Sequence, residues 1–264
     1  MISPLAYIDP TAKIGRNVEI RPFAYIEGDV VIGDDCVIYS NACILSGTTL
    51  GSGTKVYQNA VVGSEPQDLH YVPGTPGRVV VGTNNVIREN VVIARSLTPD
   101  TATTIGDGNF LMNKVHICHD VRIGNTSVLG ISVSVAPECE VGDCAILSSA
   151  CVVQHSVRIG KCSLLQSGCR VQKDVLPYAI FGGNPAAFHG VNKVVMKHFK
   201  PEIDERRLRH INNAFRLITA GNFSLEDAVI KIHEQIAKDP EIVEITDFIS
   251  STRHGIIRHV AKED

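Results

Sequence analysis

Aliphatic residues recur along this chain at every sixth position. Starting at Ile8, the series Ile14, Ile20, Ile26, Ile32, Ile38, Ile44, Leu50, Val56 and Val62 runs without an exception. It resumes at Val81, Ile87 and Ile93, then continues from Ile105 through Leu111, Ile117, Ile123, Leu129, Val135, Val141, Leu147, Val153, Ile159 and Leu165 to Val171. A period of six fits neither the 3.6 residues of an α-helical turn nor plain two-residue alternation. It fits one inward aliphatic residue per short strand, with the chain turning between strands. Repetition of this kind marks a stacked, solenoidal architecture.

A second spacing sets the number of strands per coil. Glycine follows the inward residue at Gly15, Gly33 and Gly51 and again at Gly106, Gly124, Gly142 and Gly160, at intervals of 18 within each run. Three strands therefore make one turn of a prism, and residues one coil apart stand above each other at about 4.8 Å. These glycines are expected at the corners, in conformations with φ > 0. Two polar stretches break the register: SEPQDLHYVPGTPGR between Val62 and Val81, and RSLTPDTATT between Ile93 and Ile105. They predict loops ejected from the prism at about 63–78 and 94–104. Such loops on a rigid scaffold commonly carry function.

Beyond residue 189 the pattern turns helical. Pro201 stands near a helix start, Leu208, Ile211, Phe215 and Ile218 share one face, and Gly221 reads as a stop. Ser224 with Asp227 resembles a capping box before Val229, Ile232 and Ile236, and a third helix is expected from Pro240 to about Ser251. The chain thus divides into a β prism over 1–189 and a helical region over 190–264, whose helices must pack on the prism or on a neighbouring subunit.

Composition adjusts this picture in three ways. The core must be aliphatic, because only 5% of residues are aromatic and tryptophan is absent. The net charge of −3 argues against a protein devoted to nucleic acid. No apolar run reaches the roughly 20 residues needed to span a bilayer, and MISPLAYIDPTAKIG lacks the features of a signal peptide, so a cytoplasmic protein without a transmembrane segment is expected. The eight cysteines form no CxxC pair, and Cys144/Cys162 and Cys151/Cys169 are each 18 apart, which fits small thiols stacked in ladders.

A filled prism leaves no internal cavity, so chemistry belongs on its outside. The densest set of titratable residues is LMNKVHICHD, with His116 and His119 flanking the inward Ile117 and Asp120 following directly. An aspartate beside an imidazole can hold one tautomer and raise its basicity, whereas two histidines on an arbitrary strand are ordinarily surface. Two histidines are too few for a metal site, so neither metal nor cofactor is expected.

The prism, the loop SEPQDLHYVPGTPGRVVVG, the segment NKVHICHDVRIGN, the exit QKDVLPYAIFGGNPAAFHGVN and the tail DFISSTRHGIIR together resemble the UDP-N-acetylglucosamine acyltransferases of lipid A synthesis. The resemblance covers Ile8 to Arg258. It implies a left-handed parallel β-helix, a homotrimer with sites between subunits, and transfer of a 3-hydroxyacyl chain from acyl carrier protein to the sugar's 3-hydroxyl. It implies that His119 is the general base, oriented by Asp120, and that His116 is a second active-site histidine. Substrate contacts would come from Gln67, Asp68 and His70 in the first loop, from Gln154 and His155, from Asn192 near the nucleotide, and from Arg253 in the tail. Ser167 would line the end of the acyl groove.

Several positions depart from the family pattern. Pro137-Glu138 stands where the family carries Gly-His, and proline has no N–H to offer a developing oxyanion. Gln154 replaces a histidine with His155 beside it, His70 replaces a lysine, Ala94 a histidine, and His198-Phe199 a pair of arginines. These changes leave two alternatives: a divergent transferase for another nucleotide sugar or acyl donor, or a non-catalytic binding paralogue. Lys193, Lys197, Lys200, Arg206, Arg207 and Arg209 form a basic run that suits an acidic carrier protein, although such runs are often only a solvated helix face.

Overall fold

The structure, a computed structural model, describes residues 1–219 and 223–260. Strands of mostly two residues, from Tyr7–Ile8 to Arg170–Val171, wind into a left-handed parallel β-helix with three faces. The faces are parallel sheets of 9, 8 and 10 strands, the last ending in one antiparallel pair. On one face the inward residues pair in the order Ile8↔Ile26, Ile26↔Ile44, Ile44↔Val62, Val62↔Ile93 and Ile93↔Ile117. Both interruptions leave the ladder whole, because Leu50 pairs with Val81 and Val81 with Ile105.

Every inward residue from Ile20 to Val171 is buried, while Ile8 and Ile14 at the N-terminal end are partly exposed. Each fully buried aliphatic side chain is worth about 1.5–3 kcal/mol, so the column is the main source of cohesion. The cysteines are unbridged and stack within this scheme, and burial pushes the thiols of Cys139, Cys162 and Cys169 up to about 12. Those three are protonated and inert at neutral pH.

The corners correct the expectation for glycine. Left-handed φ falls three residues after the inward position and is borne mostly by other residues, among them Asn17, Asp35, Asp120, Glu138, Cys144 and Cys162. Gly15, Gly33 and Gly51 do not have it. They are required by close approach: a Cβ on Gly33 would stand 2.7 Å from the Ser52 amide nitrogen, and one on Gly51 2.5 Å from the Gly82 carbonyl carbon.

After Arg170–Val171 the chain forms strands Ala179–Gly182 and Ala187–Val191, which pair antiparallel, so the second crosses the expected boundary at 189. Four helices follow: α1 (Lys193–Phe199), α2 (Glu205–Thr219), α3 (Leu225–Gln235) and α4 (Pro240–Ser250). The sequence reading missed α1 and set α2 near Pro201; the expected stop at Gly221 lies outside the described residues. The Ser224 hydroxyl accepts the Asp227 amide of α3 at 3.0 Å, as the capping pattern requires. The helices pack on their own prism. Phe188 stacks on Phe215 of α2 at 4.9 Å, and Arg158 donates to the Phe248 carbonyl of α4 and to the buried Asp174. Glu241 of α4, fully buried, accepts from Arg207 at 2.6 Å and from Lys200 at 3.4 Å.

Candidate active site

His119 sits two residues past the inward Ile117, at the corner that follows strand His116–Ile117. The same corner position in the coils above is held by Pro137 and His155, and in the coil below by Arg95. His119 is only 3% exposed. Its Nδ1 lies 2.9 Å from Asp120 Oδ2, and its Nε2 lies 3.4 Å from Asp68 Oδ2, within ion-pair reach but without hydrogen-bond alignment. The ring is held between two carboxylates, one on the prism and one on the first ejected loop.

Each carboxylate is fixed in turn. Asp120 takes the left-handed conformation that aspartate tolerates, its amide donates to Thr103 Oγ1 at 2.8 Å, and its Oδ2 accepts the Leu97 amide at 3.0 Å. Burial raises its carboxyl, but the nearby Thr101 hydroxyl, the Leu97 amide and His119 outweigh that and hold it below its ordinary value. Asp68 accepts the His70 amide at 2.7 Å and meets His70 Nδ1 at 3.0 Å, and these contacts with His70 and the lesser one with His119 hold it low. Both are therefore anionic at neutral pH. His116 is half-buried, and burial alone pulls its imidazole below the ordinary value.

Of the residues singled out from sequence, contacts unite His119, Asp120, Asp68 and His70. Arg253 shares a groove of about 820 Å³ with Asp120, alongside Leu97, Arg122, Glu138 and Arg158. Gln154 and His155 line a neighbouring hollow of about 570 Å³ with Ala136 and Arg170. His155 Nδ1 lies 2.8 Å from the Ser156 hydroxyl, which donates to Glu138 at 2.9 Å. Gln67 and Ser167 are exposed and Ala94 is buried in its strand. Asn192, expected beside a nucleotide, is 2% exposed and engaged by the fold: Nδ2 donates to the Cys162 carbonyl at 3.0 Å and Oδ1 caps α1 at the Val195 amide. His198 and Phe199 lie on exposed positions of α1.

The basic run is largely spent on internal ion pairs. Lys200 and Arg207 serve Glu241, Lys197 serves Glu205, and Arg206 faces Asp239 and Asp204. Among the described residues, only Lys193 and Arg209 of the six lack such a partner. The sequence reading gave no role to Arg95, Tyr71 or Glu65, which hold the first loop. A signal existed for Arg95, which follows Ile93 by the same two residues that separate His119 from Ile117.

A three-sided coil of six-residue repeats, with an externally held His-Asp pair under an ejected loop, defines a hexapeptide transferase. The family model for bacterial transferase hexapeptides matches residues 11–46 and 29–64, and that for domain 2 of UDP N-acetylglucosamine O-acyltransferase matches 174–257. An acyl-acyl-carrier-protein UDP-N-acetylglucosamine O-acyltransferase from Thermodesulfovibrio yellowstonii is 38% identical over 75% of this chain and 76% of its own. A UDP-N-acetylglucosamine acyltransferase structure from Bacteroides fragilis is 42% identical, covers 98% of this chain and 100% of its own, and superposes with a TM-score of 0.94. One from Acinetobacter baumannii gives 0.93 at 30% identity, over 97% of this chain and 99% of its own. This chain belongs to the UDP-N-acetylglucosamine O-acyltransferase family.

Proposed function

We propose that this protein moves a 3-hydroxyacyl chain from acyl carrier protein to the 3-hydroxyl of UDP-N-acetylglucosamine, the first step of lipid A synthesis. The observation that carries this reading is the suspension of His119 between Asp120 and Asp68. With the Nδ1 proton directed to Asp120, Nε2 keeps its lone pair for the sugar hydroxyl. The hydroxyl oxygen attacks the thioester carbonyl as its proton passes to Nε2. Collapse of the tetrahedral intermediate expels the carrier thiolate, which takes that proton back. No covalent enzyme intermediate forms, and the two carboxylates stabilise the transient imidazolium. General-base assistance of this kind is worth about 100- to 10,000-fold.

Pro137 removes one candidate donor from the corner above His119. The backbone amides of His119 and His155 make no hydrogen bond among the described residues and remain available to the oxyanion. Gln67, Arg253, Gln154 and His155 supply substrate contacts, Ser167 bounds the acyl groove, and Lys193 and Arg209 present charge to the acidic carrier protein. The working form is a cytoplasmic homotrimer whose sites lie between prisms 1–189, the region 190–264 flanking them. No helix among the described residues is long and apolar enough to cross a membrane.

The test is incubation with 3-hydroxyacyl carrier-protein donors of several lengths and UDP-N-acetylglucosamine, followed by mass spectrometry. An acylated nucleotide sugar that disappears with His119→Ala is the expected result. No product from the unmodified protein, or undiminished product from the variant, overturns the reading.

A further inference from the structure

The first ejected loop carries Asp68 to His119, yet apolar burial does little to hold it there. Leu69 and Val72 are both exposed, and so are Gln67 and His70. Much of what ties the loop to the prism is polar, and Arg95 carries a large part of it. Arg95 Nη2 donates to the Tyr71 hydroxyl at 2.9 Å and meets Glu65 Oε1 at 3.2 Å, while the Tyr71 hydroxyl donates to the same Glu65 oxygen at 3.1 Å. The Tyr71 amide bonds back to the Asp68 carbonyl at 3.1 Å, so the clamped tyrosine sets the backbone from which Asp68 projects. The Arg95 side chain is 12% exposed, far more enclosed than a surface arginine.

The neighbours of Arg95 extend the same bracing. Its amide donates to the Ser64 carbonyl at 2.9 Å, at the start of the loop. Ser96 Oγ accepts the Arg78 amide at 2.9 Å, at the loop's end, and Gly77 passes so close that a Cβ there would stand 3.0 Å from Arg95 Cγ. The next residue, Leu97, supplies the amide that holds Asp120. One tripeptide thus steadies both carboxylates that bracket the imidazole. Among the described residues four buried side-chain polar atoms lack a partner, and three belong to this assembly: Arg95 Nε, His119 Nε2 and Asp120 Oδ1.

We propose that Arg95 is a positioning residue for the transfer: through Tyr71 and Glu65 it clamps the first loop onto the prism and so sets Asp68 against His119. The proposal rests on the acyl transfer inferred above. Among the described residues Arg95 makes no hydrogen bond or ion pair to His119 or Asp68, and its planar donor group is suited to binding two acceptors on one loop.

Arg95→Met and Tyr71→Phe test it, each alone and combined with Asp68→Ala, in the full-length protein. Arg95→Met is expected to lower kcat about tenfold with a smaller change in KM for the nucleotide sugar, and Tyr71→Phe to act in the same direction less strongly. In the Asp68→Ala background each adds less than about twofold, because the clamp acts through Asp68. Equal losses in both backgrounds overturn the proposal. Hydrogen exchange gives a readout independent of turnover. Amides of residues 65–76 are expected to exchange about tenfold faster in both variants, with the prism strands unchanged. Unaltered loop protection also overturns it. Were the unmodified protein to make no product, the acyl-transfer reading would fall, and the exchange measurement alone would decide the clamp.

Discussion

Asp120 Oδ2 stands 2.9 Å from Nδ1 of the adjacent His119, although the two side chains leave a single prism corner from neighbouring residues. The contact depends on the left-handed backbone of Asp120, which turns its carboxylate back along the imidazole. A residue that carries the corner's conformation also orients the base.

Asp120→Asn tests that relationship. The amide occupies the same volume but no longer stabilises an imidazolium, so kcat is expected to fall about 100-fold. KM for the nucleotide sugar should change little, since the carboxylate faces the imidazole. Steady-state kinetics check both.

His116 gives a pH signature. Burial holds its native value below 6.5, so on acidification the unfolded chain binds a proton before the folded one. Its effect is absent above about 6.5 and destabilises the fold as pH falls through the window beneath it. Urea denaturation at pH 7.5 and pH 5.5 should show a smaller acid loss in His116→Gln than in the parent protein.

Glu241→Gln addresses the junction between prism and helices. Burial raises this carboxyl, but Arg207 and then Lys200 outweigh it, and the native value lies below the ordinary one. The folded state therefore gains from the charge above about pH 4.3 and loses that gain as pH falls through the native value. The substitution leaves two cations facing a neutral amide and is expected to cost about 3 kcal/mol at neutral pH. Denaturation midpoints of parent and variant should converge as pH falls through the native value.

Two glycines separate close approach from backbone freedom. Gly51→Ala drives a methyl group to 2.5 Å from the Gly82 carbonyl carbon and should cost about 1–3 kcal/mol. Gly108, at φ +66°, has no neighbour nearer than 3.4 Å to such a group, and Gly108→Asn should cost less than about 1 kcal/mol. Thermal melts of the two variants give the comparison.

The prism was legible because Ile117 and its equivalents repeat without regard to the residues between them. His119 and Asp120 were legible because their positions are fixed relative to Ile117. Arg95 occupies the matching position beside Ile93, but its partners Tyr71 and Glu65 come from a loop whose path no periodicity describes. Asn192 shows the converse difficulty: an asparagine near a helix start serves a ligand or a cap equally well on sequence, and only the Cys162 carbonyl and the Val195 amide show how it is engaged. The glycines were placed correctly and explained wrongly, since one coil's nearness to the next is invisible within a single repeat.

The two ends of the rod are unequal. The C-terminal end is closed by the antiparallel strand pair and the helices braced on Asp174, Arg158 and Phe188. At the other end Ile2, Leu5, Tyr7 and Phe23 stand exposed. In a column where each coil touches only its neighbours, loosening of the exposed outer coil must pass coil by coil to reach the interior. The His119 corner lies well inside, so it keeps its geometry through partial unwinding that would already blur the outermost turns.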